Sequence, residues 1–220
     1  MPTARPTTTC ALGERVDRPF FAREVITVAR DLLGRVLLAH TPEGDVGVRL
    51  TEVEAYAGRD DPASHAFRGP TPRNAVMFGP AGHLYTYFVY GMHWCANIVT
   101  GPDDDASAVL LRAGDVVLGE DIARARRPSV AREPLLARGP AGLATVLGLR
   151  REASGADLCG VAGRWEVVEG QPIHSDRIAS GPRVGVAAAA ERPLRFWDIA
   201  SSSVSLYRAG GRARRRAPEV

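Results

Sequence analysis

The period of the apolar positions changes several times along the chain. Within "FFAREVITVARDLLG", Val25, Ala29, Leu32 and Leu33 recur at near-helical spacing and Gly34 stands as a stop, which predicts a helix. Arg35 to His40 then reads as a strand, "TPEGD" as a turn, and Val46 to Tyr56 as a second strand that completes a hairpin. From Ala57 to Gly82 the chain is polar and rich in Gly, Pro and Asp, which predicts a long ordered loop of the kind that carries function. "HLYTYFVYGMHWCANIV" reads as a strand, a turn near Gly91 and Met92, and a return strand, followed by a short strand from Ser107 to Gly114. Helices are expected from Glu120 to Arg127 and from Pro140 to about Leu147, before Gly148. "RWEVVEG", "RVGVAAA", "LRFWDI" and "VSLYR" complete the set as short strands. Helices and strands mix without regular βαβ alternation. The expected fold is therefore α+β: a single domain with a curved, mainly antiparallel sheet, flanking helices and a protruding hairpin.

Composition narrows the class. A length of 220 residues suffices for one substantial core, expected over residues 19–208, between a flexible N-terminal segment (1–18) and a flexible basic tail (209–220). Hydrophobic residues make up 45% of the chain, yet no apolar run approaches the length that spans a bilayer, and "MPTARPTTTCAL" lacks the pattern of a signal peptide. The expectation is a cytoplasmic protein that does not enter a membrane and acts as a monomer. Cys10, Cys95 and Cys159 lie far apart without a CxxC pair, which argues against a disulfide framework, a thiolate metal site or an iron-sulfur centre. No metal and no cofactor is expected.

All 28 basic residues are Arg. Without lysine there is no side chain for a Schiff base, for pyridoxal attachment or for a Walker motif. Base bias in the genome accounts for such a replacement as readily as function does, and the chemical exclusion holds either way. A net charge of +3 with a pI near 9.0 means that any surface suited to a polyanion is local. Arg212 to Arg216 contain four arginines, a pattern typical of a solvated end.

Two patterns invite a chemical reading. "TEVEAY" places Glu52, Glu54 and Tyr56 on one face of a strand, with the two glutamate α-carbons about 6.6 Å apart, a separation compatible with acid/base chemistry on a glycosidic bond, though an isolated "EVE" is more often two exposed strand charges. Three of the five tyrosines, Tyr85, Tyr87 and Tyr90, fall within six residues of a chain that is only 6% aromatic. Alternating Tyr85, Tyr87 and Val89 could simply pack a sheet, or the rings could serve as stacking platforms.

Taken together and in order, "TEVEAY", a His eleven residues after Glu54, "TPRN", "MF", "LYTYFVYGMHWCAN" and "VLLRA" resemble the alkyladenine (methylpurine, 3-methyladenine) DNA glycosylase family. Weaker similarity runs through "ARGPAGL" and "RVGV" to Trp197. The resemblance implies base-excision repair of double-stranded DNA containing damaged purines, by a bacterial-type enzyme found at the nucleoid when acting on DNA. Glu54 would be the general base for an attacking water, and Arg112 would help position that water and the glutamate. Tyr56 and Tyr87 would form the walls of the base pocket, His65 would orient the flipped base, and Asn97 would exclude the guanine amine. Tyr90 would fill the gap that the nucleotide leaves. With no lysine, such an enzyme would be monofunctional and leave an abasic site. Departures touch substrate range: Gly142 stands where the family often carries Lys, a contact Arg138 could supply, "AAAAERPLRF" lacks a bulkier charged insertion, and His93 replaces an aromatic. Two other readings stay open here: a carbohydrate hydrolase using Glu52 with Glu54, and a noncatalytic nucleic-acid-binding module.

Overall fold

The computed structural model describes residues 13–161 and 163–211; the Arg212–Arg216 run lies outside the described residues. At its centre is an eight-stranded sheet in which every pairing is antiparallel. Strands β3 (Leu84–Val89), β4 (His93–Thr100), β5 (Ser107–Leu118), β2 (Gly44–Tyr56), β1 (Val36–Thr41) and β6 (Trp165–Val168) lie side by side in that order. A short pair, β7 (Ile178–Gly181) and β8 (Arg195–Asp198), joins through β8 onto β2. The fold is α+β with few helices, as the mixed periodicity predicts.

The central strand, β2, explains much of the rest. One of its edges pairs with β5 along most of its length, while the other pairs with β1 as far as Arg49 and with β8 from Glu52 to Glu54. Leu50 to Ala55 are buried without interruption, so both faces are covered and the half-exposed alternation of a surface strand is absent. Glu52 and Glu54 are fully buried, which removes the reading of "EVE" as exposed charges.

Helix α2 (Val25–Leu32) covers one face by burying Val25, Val28, Ala29 and Leu32. The Glu24 carboxylate caps its first turn, accepting from the Ile26 and Thr27 amides at 3.0 and 2.9 Å, and Gly34, at φ +88°, turns the chain into β1. Before it lie α1 (Arg18–Phe21) and residues 14–16, which run beside β6 with Val16 buried. Helices α3 (Glu120–Arg126) and α4 (Pro140–Val146) pack together, and α4 rests on β4 and β5 through Leu143, Ala144 and Val146. Each leucine buried in this way contributes about 1.5 to 3 kcal/mol relative to exposure. Among the described residues no helix is long and apolar enough to cross a membrane.

Two expected strands do not form. In "RVGVAAA" the Val184 amide is committed to a carboxylate side chain and Gly185 turns at φ +73°, so no ladder can start. "VSLYR" likewise donates its Ser205 amide to the Glu52 side chain. Backbone donors spent on side chains are lost to strand pairing. Conversely, β7 carries no periodic signal, and its pairing with β8 holds it in place.

Candidate active site

The site grows from an irregularity between β2 and β5. Glu52 pairs with Ala113 and Val53 with Leu111, so Arg112 is an extra residue on β5, a β-bulge. The bulge re-aims its side chain onto the face that carries both glutamates. Arg112 Nε donates to Glu52 Oε1 at 2.8 Å, and Arg112 NH1 lies 3.3 Å from Glu54 Oε1. Burial works against the Arg112 cation, but the two carboxylates outweigh it and hold its pKa above the ordinary value.

The two glutamates have different surroundings. Glu52 is saturated: Oε1 accepts from Arg112, Arg195 and the Ser205 hydroxyl, and Oε2 accepts from the Ser205 amide at 2.6 Å. Glu54 faces a cleft that also contains Tyr56, His65, Tyr87, Tyr90 and Arg112. Its Oε1 accepts from the Val184 amide at 2.7 Å and its Oε2 from the Tyr56 hydroxyl at 2.9 Å. Burial pushes the Glu54 carboxyl above the ordinary carboxylate range, against the pull of Arg112 and these two donors. A carboxylate made more basic by burial, yet held toward its charged form by two hydrogen bonds and the Arg112 cation, is suited to take a proton from water.

Beside it opens a small hollow bounded by Tyr56, His65, Met77, Tyr85, Tyr87 and Asn97. Tyr85 and Tyr87 stack with ring centroids 5.6 Å apart, and His65 stands edge-on to Tyr87 at 4.5 Å. His65 Nδ1 meets the Tyr85 hydroxyl at 3.1 Å. Enclosure of the imidazole, with the nearby Arg73 cation, lowers the His65 pKa and leaves the ring neutral at pH 7. Asn97, on β4, is buried and donates from Nδ2 to the Tyr85 carbonyl at 3.3 Å. Burial pushes the Tyr56 and Tyr87 hydroxyls far above their ordinary range, so both rings stay neutral phenols.

At the rim, β3 and β4 form the hairpin. Tyr90 at its tip adopts φ 52° and is 88% exposed, with Met92 close by at 68%. A large ring held outward in a left-handed backbone conformation has no packing role inside the molecule. Six of the seven residues singled out from the sequence line one cleft, with Glu54 and Arg112 at its base and Tyr90 at its edge, while Asn97 lines the hollow that adjoins it through the shared Tyr56, His65 and Tyr87.

Several contributors escaped the sequence reading. Arg183 is fully buried, forms a two-pronged ion pair with Asp61, donates to the Ala55 carbonyl at 3.0 Å, and lies 4.5 Å behind the Tyr56 ring. Tyr85, which could have been sheet packing alone, bounds the hollow as well as the core. Val184 lies in the weakly similar "RVGV" stretch, which gave its amide no role, and Ser205 lies in no matched motif.

The model of the family described as methylpurine-DNA glycosylase (MPG) matches residues 19–202. The chain belongs to the methylpurine-DNA glycosylase family. Its relatives include a protein of Streptomyces avermitilis named as a 3-methyladenine DNA glycosylase, 51% identical over 201 residues that cover 90% of this chain and 94% of that one. Proteins of the same name in Nocardia farcinica (51% identical; 85% of this chain, 89% of that one) and Burkholderia lata (44% identical; 85% and 88%) are also similar. One departure from the family pattern now has a local account. The space beside Gly142, where the family often has Lys, is filled by the Arg127 guanidinium, which donates to the Leu135 carbonyl at 2.8 Å. Arg138 is occupied elsewhere, with Nε and NH2 both on the Val204 carbonyl.

Proposed function

We propose that this family member is a monofunctional DNA glycosylase that turns an alkylated purine, such as 3-methyladenine, out of duplex DNA and hydrolyses its N-glycosidic bond, leaving an abasic site. The observation that carries this reading is the position of Glu54: a buried carboxylate, held by Tyr56, Val184 and Arg112, directly beside an aromatic hollow. Glu54 takes a proton from the attacking water, and its negative charge favours the cation-like sugar as the bond breaks. Tyr56 and Tyr87 offer ring faces to a base, each stacked base being worth about 1 to 3 kcal/mol against a flipping cost of a few kcal/mol. Alkylation that gives the purine a positive charge improves the leaving group and draws it to those faces. His65 orients the base, Asn97 crowds the position of a guanine amine, and Tyr90 fills the vacated gap. The absence of lysine supports hydrolysis by water over strand scission through a Schiff base.

A carbohydrate hydrolase built on Glu52 with Glu54 fits poorly, because Glu52 already accepts four hydrogen bonds and is fully buried. The test is incubation of methylated duplex with wild type and Glu54→Gln, with freed bases and strand breaks measured separately. Base release without breaks by the wild type, and none by a variant that still binds duplex, is expected. Equal release by both would remove Glu54 from the chemistry, and a pure binding module would release nothing. Affinity for duplex is expected to fall with salt by about 0.9 decade per decade for each phosphate neutralised.

A further inference from the structure

We propose that the segment 203–211, running from Ser203 to Gly211, is a working part of the site, and that Ser205 on it is a positioning residue for the reaction, acting through Arg112. The inference rests on the reading of Glu54 and Arg112 given above. Ser205 bridges the machinery: its hydroxyl accepts from Arg112 NH2 at 3.1 Å and donates to Glu52 Oε1 at 2.8 Å, while its amide donates to Glu52 Oε2 at 2.6 Å. The three guanidinium nitrogens of Arg112 thus have separate partners, with Nε on Glu52, NH2 on Ser205, and NH1 left for Glu54. A guanidinium is planar, so pinning two of its nitrogens fixes the direction of the third. Ser205 and Glu52 together aim NH1 at the reacting carboxylate.

The same segment also reaches the other side of Glu54. The Arg208 carbonyl accepts from the Gly185 amide at 2.8 Å, and the preceding Val184 amide is the donor to Glu54 Oε1. Gly210 sits so close to the Val186 backbone that a side chain there would collide with it. Between these anchors the segment buries little: Leu206 is 71% exposed and Tyr207 48%. The start of the segment is anchored in the fold, with the Ser203 hydroxyl on Thr51 and the Val204 carbonyl on Arg138, and from Ser205 onward it reaches Arg112 on one side of Glu54 and the Val184 turn on the other, which is the arrangement of a brace.

The experiment compares wild type, Ser205→Ala and Ser205→Thr in single-turnover excision from a methylated duplex, with duplex Kd and thermal midpoint measured in parallel. Ser205→Ala is expected to slow excision about tenfold, as expected when a hydrogen bond to a charged group is lost, with Kd and midpoint unchanged; Ser205→Thr, which keeps the hydroxyl, stays near the wild-type rate. If Ser205→Ala melts early, Ser205→Cys preserves the volume with a poor hydrogen-bonding group, and the same readouts decide. A wild-type rate in the hydroxyl-less variant, or a loss that lies wholly in Kd, overturns the positioning role. Failure of the wild type itself to free a methylated purine overturns the underlying reading of Glu54 instead, so the two failures are distinguishable.

Discussion

The Tyr56 hydroxyl donates to Glu54 Oε2 at 2.9 Å, which makes one wall of the hollow and its carboxylate a single unit. The two residues lie on the same face of β2, and their link fixes the ring and the carboxylate relative to each other. It is also one of the few donors that favour the charged form of a carboxyl otherwise pushed up by burial.

Tyr56→Phe keeps the ring and removes that donor. Stabilisation of the Glu54 anion is lost, so its pKa, already raised, rises further and less of it is ionised at a given acidic pH. The acidic limb of the excision rate is expected to move to higher pH, while duplex affinity and the rate on the alkaline plateau change little. A pH–rate profile under single-turnover conditions checks this; a limb that stays in place or moves to lower pH would detach Tyr56 from the ionisation of Glu54.

Behind Tyr56, Arg183 and Asp61 form a fully buried ion pair. Removing one partner strands the other, at a cost of about 3 to 5 kcal/mol. Arg183→Met is expected to destabilise the fold on that scale, and Asp61→Asn to recover part of the loss in the double variant, as a double-mutant cycle in denaturant would record. Strict additivity of the two single changes would mean that the pair does not act as a unit.

How much of this was legible beforehand follows from how far apart the partners lie. The Glu54 strand, the hairpin and the loop from Ala57 to Gly82 are local patterns, and periodicity with turn residues found them. The bulge at Arg112 leaves no trace in β5, because an extra strand residue is visible only against its partner. Arg183 and Ser205 act on residues 122 and 153 positions away; Ser205 stands in no pattern, and the "RVGV" stretch marks Arg183 without revealing its partner. Both expected strands that failed to form surround those residues, since the donors a ladder requires go to Glu52 and Glu54. Burial of charge and local irregularity thus concentrate at the site, where patterning rules hold least.

Asn97 offers a test of selectivity. It is buried at the edge of the hollow and tied to the Tyr85 carbonyl, so its bulk is held in place. Asn97→Ser shortens the side chain and opens room for an exocyclic amine. Release of guanine-type bases is expected to rise relative to methylated adenine, measured as a ratio of excision rates on matched duplexes. An unchanged ratio would reduce Asn97 to a structural residue.

Tyr90 separates stability from function most cleanly. Its side chain is 88% exposed and its backbone lies at φ 52°, a conformation that costs a non-glycine residue roughly 1 to 2 kcal/mol. Tyr90→Gly removes that strain, partly offset by the greater freedom of glycine in the unfolded chain, so the thermal midpoint is expected to hold or rise slightly. Excision from duplex is expected to fall, because nothing then fills the space left by the extruded nucleotide. A single-stranded substrate has no such space, and its excision should be nearly indifferent to the change. The ratio of duplex to single-strand rates is therefore the decisive quantity: a collapse with the midpoint intact assigns Tyr90 to the duplex, whereas an equal effect on both substrates means that the ring works on the base or the carboxylate instead.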